Sequence, residues 1–293
     1  MDELKICSYA KINIGLYVLD RLIDGYHEII TLFQQISLYD TLKFIKSKKG
    51  IKIITDDPQM PRGEENLVWK AFNLFKDKAD VKGGLDVYLE KKIPMGAGLA
   101  GGSSNAAVTL MAANKLWGNL LHKSELLEMA NQLGADVPFF IFSASAIGRG
   151  KGEILEKVNY DKNWWIVLVC PAVSISTKWV YSQTKFILTK IKKITNFKTL
   201  FENFDCNDLQ GNLYNELEEI VFKRYPFLEK IKNQLKEMGA FYVSMSGSGS
   251  SMYGLFKGKK QATKAKEFFS MEKEIDAFLC RPLDTFPYSS LLM

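Results

Sequence analysis

Pro94-Met95-Gly96-Ala97-Gly98-Leu99-Ala100-Gly101-Gly102-Ser103-Ser104 lies between two segments of opposite periodicity. Before it, Leu85 to Leu89 alternates apolar and polar, as a strand does. After it, Ala106, Ala107, Leu110, Ala113 and Trp117 recur at helical spacing. Small residues at such a junction let the backbone approach a ligand closely, and the N–H groups and dipole of a helix N-terminus favour an anion. The stretch therefore predicts a phosphate cradle, since a plain strand-to-helix connection rarely needs so many glycines and alanines. Gly96-x-Gly98-x-x-Gly101 also fits the dinucleotide-binding fingerprint. That fingerprint needs an acidic residue about 20 positions on, and no Asp or Glu occurs from Gly96 through Ser124. A P-loop fails because Gly102 stands where the lysine belongs, and the H-R-D and D-F-G motifs of protein kinases are absent. A branched side chain at Gly98 is expected to fill the space of the phosphates and to change the stability of the unliganded protein little.

Composition narrows the rest. A length of 293 residues suggests two lobes, and 47% hydrophobic with 25% charged residues excludes a disordered or fibrous chain. Lys and Arg exceed Asp and Glu by 39 to 33, a balance that suits anionic substrates but is too mild for nucleic acid. The lysine clusters 46/48/49, 190/192/193 and 257/259/260 read as solvated faces at element ends. Cys7, Cys170, Cys206 and Cys280 form no C-x-x-C pair, so neither zinc nor a disulfide framework is indicated and buried thiols are expected. With only His27 and His122, an H-E-x-x-H metal site is excluded. No apolar run reaches the roughly 18 residues of a membrane helix, and Asp2, Glu3 and Lys5 interrupt any secretory apolar core. A cytoplasmic protein without a membrane or nucleic-acid partner is expected.

The periodicities predict strands at 4–9, 12–19, 28–37, 41–47 and 51–55, broken at Asp24-Gly25 and Lys49-Gly50. A helix from about Asn66 to Lys78, the 85–89 strand, two helices after the cradle and strands at 144–148 and 153–158 complete the first half. From strand 164–170 onward the order becomes β-α-α-α-β-β-α-β, with helices near 176–187, 213–223, 226–238 and 259–269 and strands at 241–245, 252–257 and 275–280. That order predicts an α+β lobe with a ferredoxin-like sheet. Asn159, Asp161 and Asn163 interrupt the periodicity, which divides the chain into lobes 1–161 and 162–293.

Three further segments carry candidate chemistry. Ser246-Gly247-Ser248-Gly249-Ser250-Ser251 joins two strands; by itself it reads as a flexible hairpin end, and it contains no G-x-S-x-G hydrolase elbow. Lys11, in Ser8-Tyr9-Ala10-Lys11-Ile12-Asn13, sits among apolar neighbours, so it either snorkels to solvent or has a buried partner. In Gly134-Ala135-Asp136-Val137-Pro138-Phe139-Phe140 the proline favours a first helical turn with Val137 as cap, which leaves the Asp136 carboxylate for another task.

The set A-K-I-N, D-G-Y-H-E, P-M-G-A-G-L-A-G-G-S-S, G-A-D-V-P-F-F and S-G-S-G-S resembles the galactokinase, homoserine kinase, mevalonate kinase and phosphomevalonate kinase (GHMP) superfamily. Within it, D-G-Y-H-E, G-A-D-V-P-F-F and Asn207-Asp208-Leu209 are similar to the kinases that phosphorylate 4-diphosphocytidyl-2-C-methyl-D-erythritol in the non-mevalonate isoprenoid pathway. The resemblance implies a two-lobed α+β fold, with an N-terminal lobe like ribosomal protein S5, a C-terminal ferredoxin-like lobe and the active site in the cleft between them. It implies ATP as phosphoryl donor with Mg2+, whose ligands it does not assign. Asp136 would be the base and Lys11 the cation beside it. Pro94 through Ser104 would wrap the triphosphate, faced by Ser248 and Gly249, with Asn66 near the adenine. Asn13, Tyr26 and His27 would line the acceptor site; Tyr181, in Pro171-x-x-Ser174-x-x-Thr177-x-x-x-Tyr181, would face Tyr26 across the cytosine. His27 is expected to serve recognition, as ring or backbone, and His122 has no assigned role. A monomer or weak homodimer is expected. Another GHMP kinase, of mevalonate or homoserine type, would share the cradle without needing to stack a pyrimidine. A non-catalytic nucleotide binder would keep the loops and lose the base. Phe186 to Asp205 and the tail after Arg281 carry no motif of the family.

Overall fold

The computed structural model describes residues 2–160, 162–184, 197, 209 and 213–292. The inferred boundary residue Asp161, the lysines 190/192/193, Cys206, and Asn207 and Asp208 lie outside the described residues.

Two long strands, β1 (Glu3–Arg21) and β2 (His27–Ser47), pair antiparallel through the Asp24-Gly25 turn, where Gly25 takes a φ of +87°. The periodicity divides each into two strands; the structure makes each continuous and absorbs the breaks in bulges, where the ladder skips between Tyr9 and Lys11 and between Ile14 and Leu16. A bulge adds unpaired backbone without ending the strand and re-aims the next side chain. β3 (Gly50–Thr55), β4 (Gly84–Glu90), β5 (Ser145–Arg149) and β6 (Ile154–Lys157) extend the sheet in the order β3-β4-β2-β5-β6, with β1 against β2. Four helices, α1 (Leu67–Lys78), α2 (Gly101–Leu116), α3 (Lys123–Leu133) and α4 (Val137–Phe142), accompany this sheet, and their apolar residues share a core with Phe33, Leu42 and Phe44 of β2. A helix pair thus follows residues 94–100 where a dinucleotide fold would require a strand.

The second sheet holds β7 (Trp165–Pro171), β8 (Tyr242–Met245), β9 (Met252–Phe256) and β10 (Ile275–Cys280) in the antiparallel order β10-β7-β9-β8. That is the ferredoxin-like order expected. Among the described residues its helices are α5 (Thr177–Gln183), α6 (Leu217–Arg224), α7 (Pro226–Glu237) and α8 (Lys259–Phe269).

The strands alternate their faces between different cores. Ile12, Ile14 and Leu32 of the first sheet pack with Ile166, Leu168, Tyr253 and Leu255 of the second, so the sheets share one apolar interior. Val167, Val169, Val243 and Met245 face a third core with Leu217, Leu228, Leu235 and Ala262. The tail after Arg281 returns to the first sheet. Ser37 N–H donates to the Arg281 carbonyl, Leu283 N–H donates to that of Gln35, and Tyr288 lies buried in the first core with its hydroxyl accepting from Tyr9 N–H. Cys7, Cys170 and Cys280 are free; Cys170 and Cys280 are buried as expected, whereas Cys7, near the start of an outer strand, is half-buried.

Candidate active site

A cavity of about 1170 Å3 is lined by both lobes. It brings together Lys11, Asn13, Tyr26, His27, Asn66, Pro94 to Ser103, Asp136, Tyr181, Ser248 and Gly249. Ser104 is not among its lining residues: it is fully buried, with its hydroxyl bonded to that of Ser8 at 2.7 Å. Helical periodicity turns it away, because consecutive helix positions do not share a face.

Lys11 does not snorkel. It is 4% exposed, and its ammonium donates to Asn13 Oδ1 at 2.7 Å, pairs with Asp136 Oδ2 at 3.4 Å and lies over the Phe33 ring at 5.2 Å. These partners are what a buried cation requires. Asn13 is held in turn: its Nδ2 donates to Thr31 Oγ1 at 3.1 Å, and its carbonyl accepts from the Tyr253 hydroxyl of the second lobe at 2.6 Å. Asp136, rather than Val137, is the residue before α4, yet its side chain makes no capping bond. Pro138, with no N–H, removes one of the donors a cap would satisfy. The carboxylate, about a third exposed, faces the cleft and Lys11.

The first small-residue loop runs into α2. Ala100 precedes that helix in the left-handed region, at φ +52°, and offers no side chain to cap the first-turn N–H groups. Such a helix start is suited to an anion. Gly102 and Ser103 line the cleft beside it. Gly98 has a different constraint from the one expected of it. A Cβ there would stand 2.1 Å from the Ser246 carbonyl, at φ +77°, so the glycine admits the second loop as well as any ligand.

That second loop is not a flexible end. Ser246, Ser250 and Ser251 are fully buried; Ser246 Oγ donates to the Gly98 carbonyl at 2.9 Å, and Ser251 N–H donates to Ala97. Ser248 bonds Thr177 at 2.8 Å. Asn215 orients the loop by donating to the carbonyls of Met245 and Gly247 at 2.9 and 2.7 Å. Asn215 is not among the residues that the sequence motifs mark, although Asn215-Glu216-Leu217 repeats the Asn-acid-Leu pattern of 207–209. Leu209, the described part of that earlier segment, is buried in the core.

At the other end of the cavity, Tyr26 is exposed, with Lys151 Nζ over its ring at 4.2 Å; Asp24 pairs with Lys151 and accepts from Tyr26 N–H. His27 stacks on Tyr181, with centroids 5.5 Å apart. Burial and the nearby Arg21 charge lower the His27 pKa, favouring neutral imidazole at pH 7. Thr184 Oγ1 donates to the Tyr181 carbonyl and lies 3.2 Å from His27 Nε2. Asn66 caps α1, its Oδ1 accepting from Val68 N–H at 2.8 Å. His122 has a structural position, as the residue before α3, where its N–H donates to Glu125.

Among the described residues no group of three His, Cys, Asp or Glu side chains could hold a metal. Mg2+ binds through one or two carboxylates plus substrate phosphates and keeps several waters, so it needs no protein cage. The carboxylate of Asp136 and the hydroxyl of Ser103, both lining the cleft, are hard oxygen donors of that kind. No helix among the described residues is long and apolar enough to cross a membrane.

Comparison with known proteins gives this geometry a family. Residues 66–144 match the GHMP kinases N terminal domain and 194–272 the GHMP kinases C terminal domain. The 4-diphosphocytidyl-2-C-methyl-D-erythritol kinase of Thermodesulfovibrio yellowstonii is 40% identical over 283 residues, 95% of this chain and 96% of that protein. That of Alkaliphilus metalliredigens is 37% identical over 92% of this chain and 94% of its own length. A crystal structure of 4-(cytidine 5'-diphospho)-2C-methyl-D-erythritol kinase superposes with a TM-score of 0.77 at 31% identity, covering 95% of this chain and 99% of that one. Homoserine kinase from Cytophaga hutchinsonii reaches 0.76 at 19% identity over 96% and 95% of the two chains, a likeness of fold alone. By the two domain matches the chain is a GHMP kinase, and by its similarity across nearly the whole length it belongs to the 4-diphosphocytidyl-2-C-methyl-D-erythritol kinase family.

Proposed function

We infer that the protein transfers the γ-phosphoryl group of ATP to the C2 hydroxyl of 4-diphosphocytidyl-2-C-methyl-D-erythritol, a step toward isopentenyl diphosphate. The observation that carries the mechanism is the Lys11–Asp136 pair at 3.4 Å in the same cleft as the α2 N-terminus. Phosphoryl transfer asks a protein mainly for positioning and charge stabilisation. Asp136 accepts the hydroxyl proton as the new C2–O–P bond forms and the bond to the β-phosphate oxygen breaks. Lys11, held by Asn13, stabilises the charge that develops on the attacking oxygen and the transferred group. The first-turn N–H groups of α2 and the backbone of 94–103 hold the triphosphate, with Ser248 and Gly249 opposite. Mg2+ bound with the nucleotide would supply neutralisation of the phosphate charge, and Asp136 and Ser103 are the side chains that would meet it.

Tyr26 and Tyr181 are assigned to the cytosine, which would use the ring faces that Lys151 and His27 leave. His27, stacked on Tyr181 at 5.5 Å, is assigned to recognition, because Asp136 beside Lys11 carries the base role. A coupled ADP-release assay tests the reading. Turnover with the cytidyl substrate and none with mevalonate or homoserine is expected. Turnover with mevalonate or homoserine in preference would replace the acceptor, and absence of ADP release with every acceptor would leave a nucleotide-binding protein.

A further inference from the structure

We propose that Asp40 is the positioning residue of the phosphate loop, tying the strand end before it to the helix after it, with Lys91 as its counter-charge and not a phosphate ligand. The inference rests on the assignment of residues 94–103 to the triphosphate. Asp40, in β2, is fully buried. Its Oδ1 accepts from the backbone N–H groups of Lys92 and Ile93 at 2.8 and 2.9 Å, directly before the loop. Its Oδ2 accepts from Lys91 Nζ and, at 3.0 Å, from Asn105 Nδ2 in α2. One carboxylate thus grips both sides of the loop.

The surroundings support this arrangement. Asn105 also donates to Ser8 Oγ at 2.9 Å, and Ser8 bonds Ser104, so the start of α2 is fastened to β1 as well. The Lys91 side chain, 6% exposed, reaches under the first turn of α2, where a Cβ on Gly101 would come within 2.8 Å of its ammonium; it borders the cleft, which Asp40 does not line, and its ammonium is turned to the Asp40 carboxylate. A carboxylate isolated in an apolar interior would be costly, and four donors directed at it remove that cost. Ala97 and Gly98 are held by the second loop, but at the start of α2 Gly102 is exposed and Ala100 provides no cap. That helix start is therefore held from beneath.

The test uses the full chain. Asp40→Leu alone strands a buried ammonium, so it is made with Lys91→Met, which removes both charges; apolar replacement of a buried pair is often tolerated. The double variant is expected to unfold cooperatively, to bind a fluorescent ATP analogue about 10-fold to 10²-fold more weakly, as misplacement of a positioning element does, and to keep its acceptor KM. Lys91→Met alone costs stability by removing the counter-charge of a buried carboxylate, but three of the four donors to Asp40 remain, so the folded fraction should lose far less nucleotide affinity. Asn105→Ala, which leaves the ion pair in place, carries the test if the double variant does not fold: ATP KM should rise with acceptor KM unchanged, and amide exchange in 94–104 should quicken. Wild-type nucleotide affinity in Asn105→Ala or in the folded double variant overturns the proposal. So does Lys91→Met weakening ATP as much as the double variant, which would make the lysine a ligand. If Gly102→Asp leaves ATP binding untouched, the assignment of the loop to the triphosphate fails, independently of what Asp40 does.

Discussion

Residues 94–104 and 246–251 are both runs of small residues that follow a strand and border one cleft, through 94–103 and 247–249, yet they use their polar groups in opposite ways. The first continues into α2, so its last N–H groups belong to a helix start with no side-chain cap. The second continues into β9, and its polar groups are used inside the protein: Ser246 N–H donates to Ser251, Gly249 N–H to Ser246, Ser250 Oγ to Val173 and Ser246 Oγ to Gly98. Small-residue composition signals close approach of backbones. The element that follows decides whether the thing approaching is a ligand or another loop.

Each loop is also rooted by a buried carboxylate paired with a lysine. Asp40 and Lys91 serve the first; Glu218 and Lys232 serve the second, where Glu218 accepts from Met245 N–H and Ser244 Oγ at 2.8 and 3.0 Å. The two carboxylates have the same chemistry, and only the first sits beneath a helix start that can take an anion.

Substitutions can break this contrast. The largest effect is expected at the Lys11–Asp136 pair in the cleft that both loops border: Asp136→Asn should lower kcat about 10²–10⁴-fold, as loss of a positioned base does, while ATP still binds. Wild-type turnover would remove Asp136 from the mechanism. Gly102→Asp comes next. A carboxylate at the start of α2 suits the helix dipole but repels a triphosphate, so ATP KM should rise by about 10²-fold, like-charge contacts costing several kcal/mol, with thermal stability nearly unchanged. If stability falls and affinity survives, the first loop is a structural connection like the second.

Tyr26→Ala serves as a control away from both loops. It should raise the acceptor KM about 5-fold to 150-fold, the range of stacking one base on an aromatic ring, and leave ATP KM alone. A shift in ATP KM instead would mean that Tyr26 does not belong to the acceptor end. Gly98→Val sharpens the comparison at the contact between the loops. Its Cβ meets the Ser246 carbonyl, so the apo protein should lose about 1–3 kcal/mol by overpacking, measured by denaturant unfolding, besides binding ATP poorly. An unchanged unfolding midpoint would mean that the loops separate without cost. The smallest effect is expected for Ser246→Ala, which deletes a single bond to the Gly98 carbonyl and should cost about 1 kcal/mol with ATP KM within a few-fold. A complete loss of ATP binding there would show that the second loop is a ligand site of the same rank as the first.

The sequence by itself determined the elements whose signals are local. Helices α3 and α8, strand β10 and the ferredoxin-like order all follow from periodicity and turn residues. The glycines between a strand and a helix mark the segment that lines the cleft at the start of α2, and the apolar neighbours of Lys11 mark a cation that needs a buried partner. What escaped depends on atoms far apart in the chain. Asp40 resembles Lys11 as a lone charge in a strand, but its meaning lies in Lys91 and Asn105, 51 and 65 residues away. The continuity of β1 and β2 depends on bulges, which a period of two misreads as strand ends. The tail after Arg281 has no motif because its role is packing, with Tyr288 filling a core made by residues near the other end of the chain. Gly98 was legible as a glycine needed for close approach; that the Ser246 carbonyl approaches it was decided only when the two sheets packed together. Local propensity reads the chain a few residues at a time, whereas burial, hydrogen-bond satisfaction and close approach depend on neighbours that folding alone brings together.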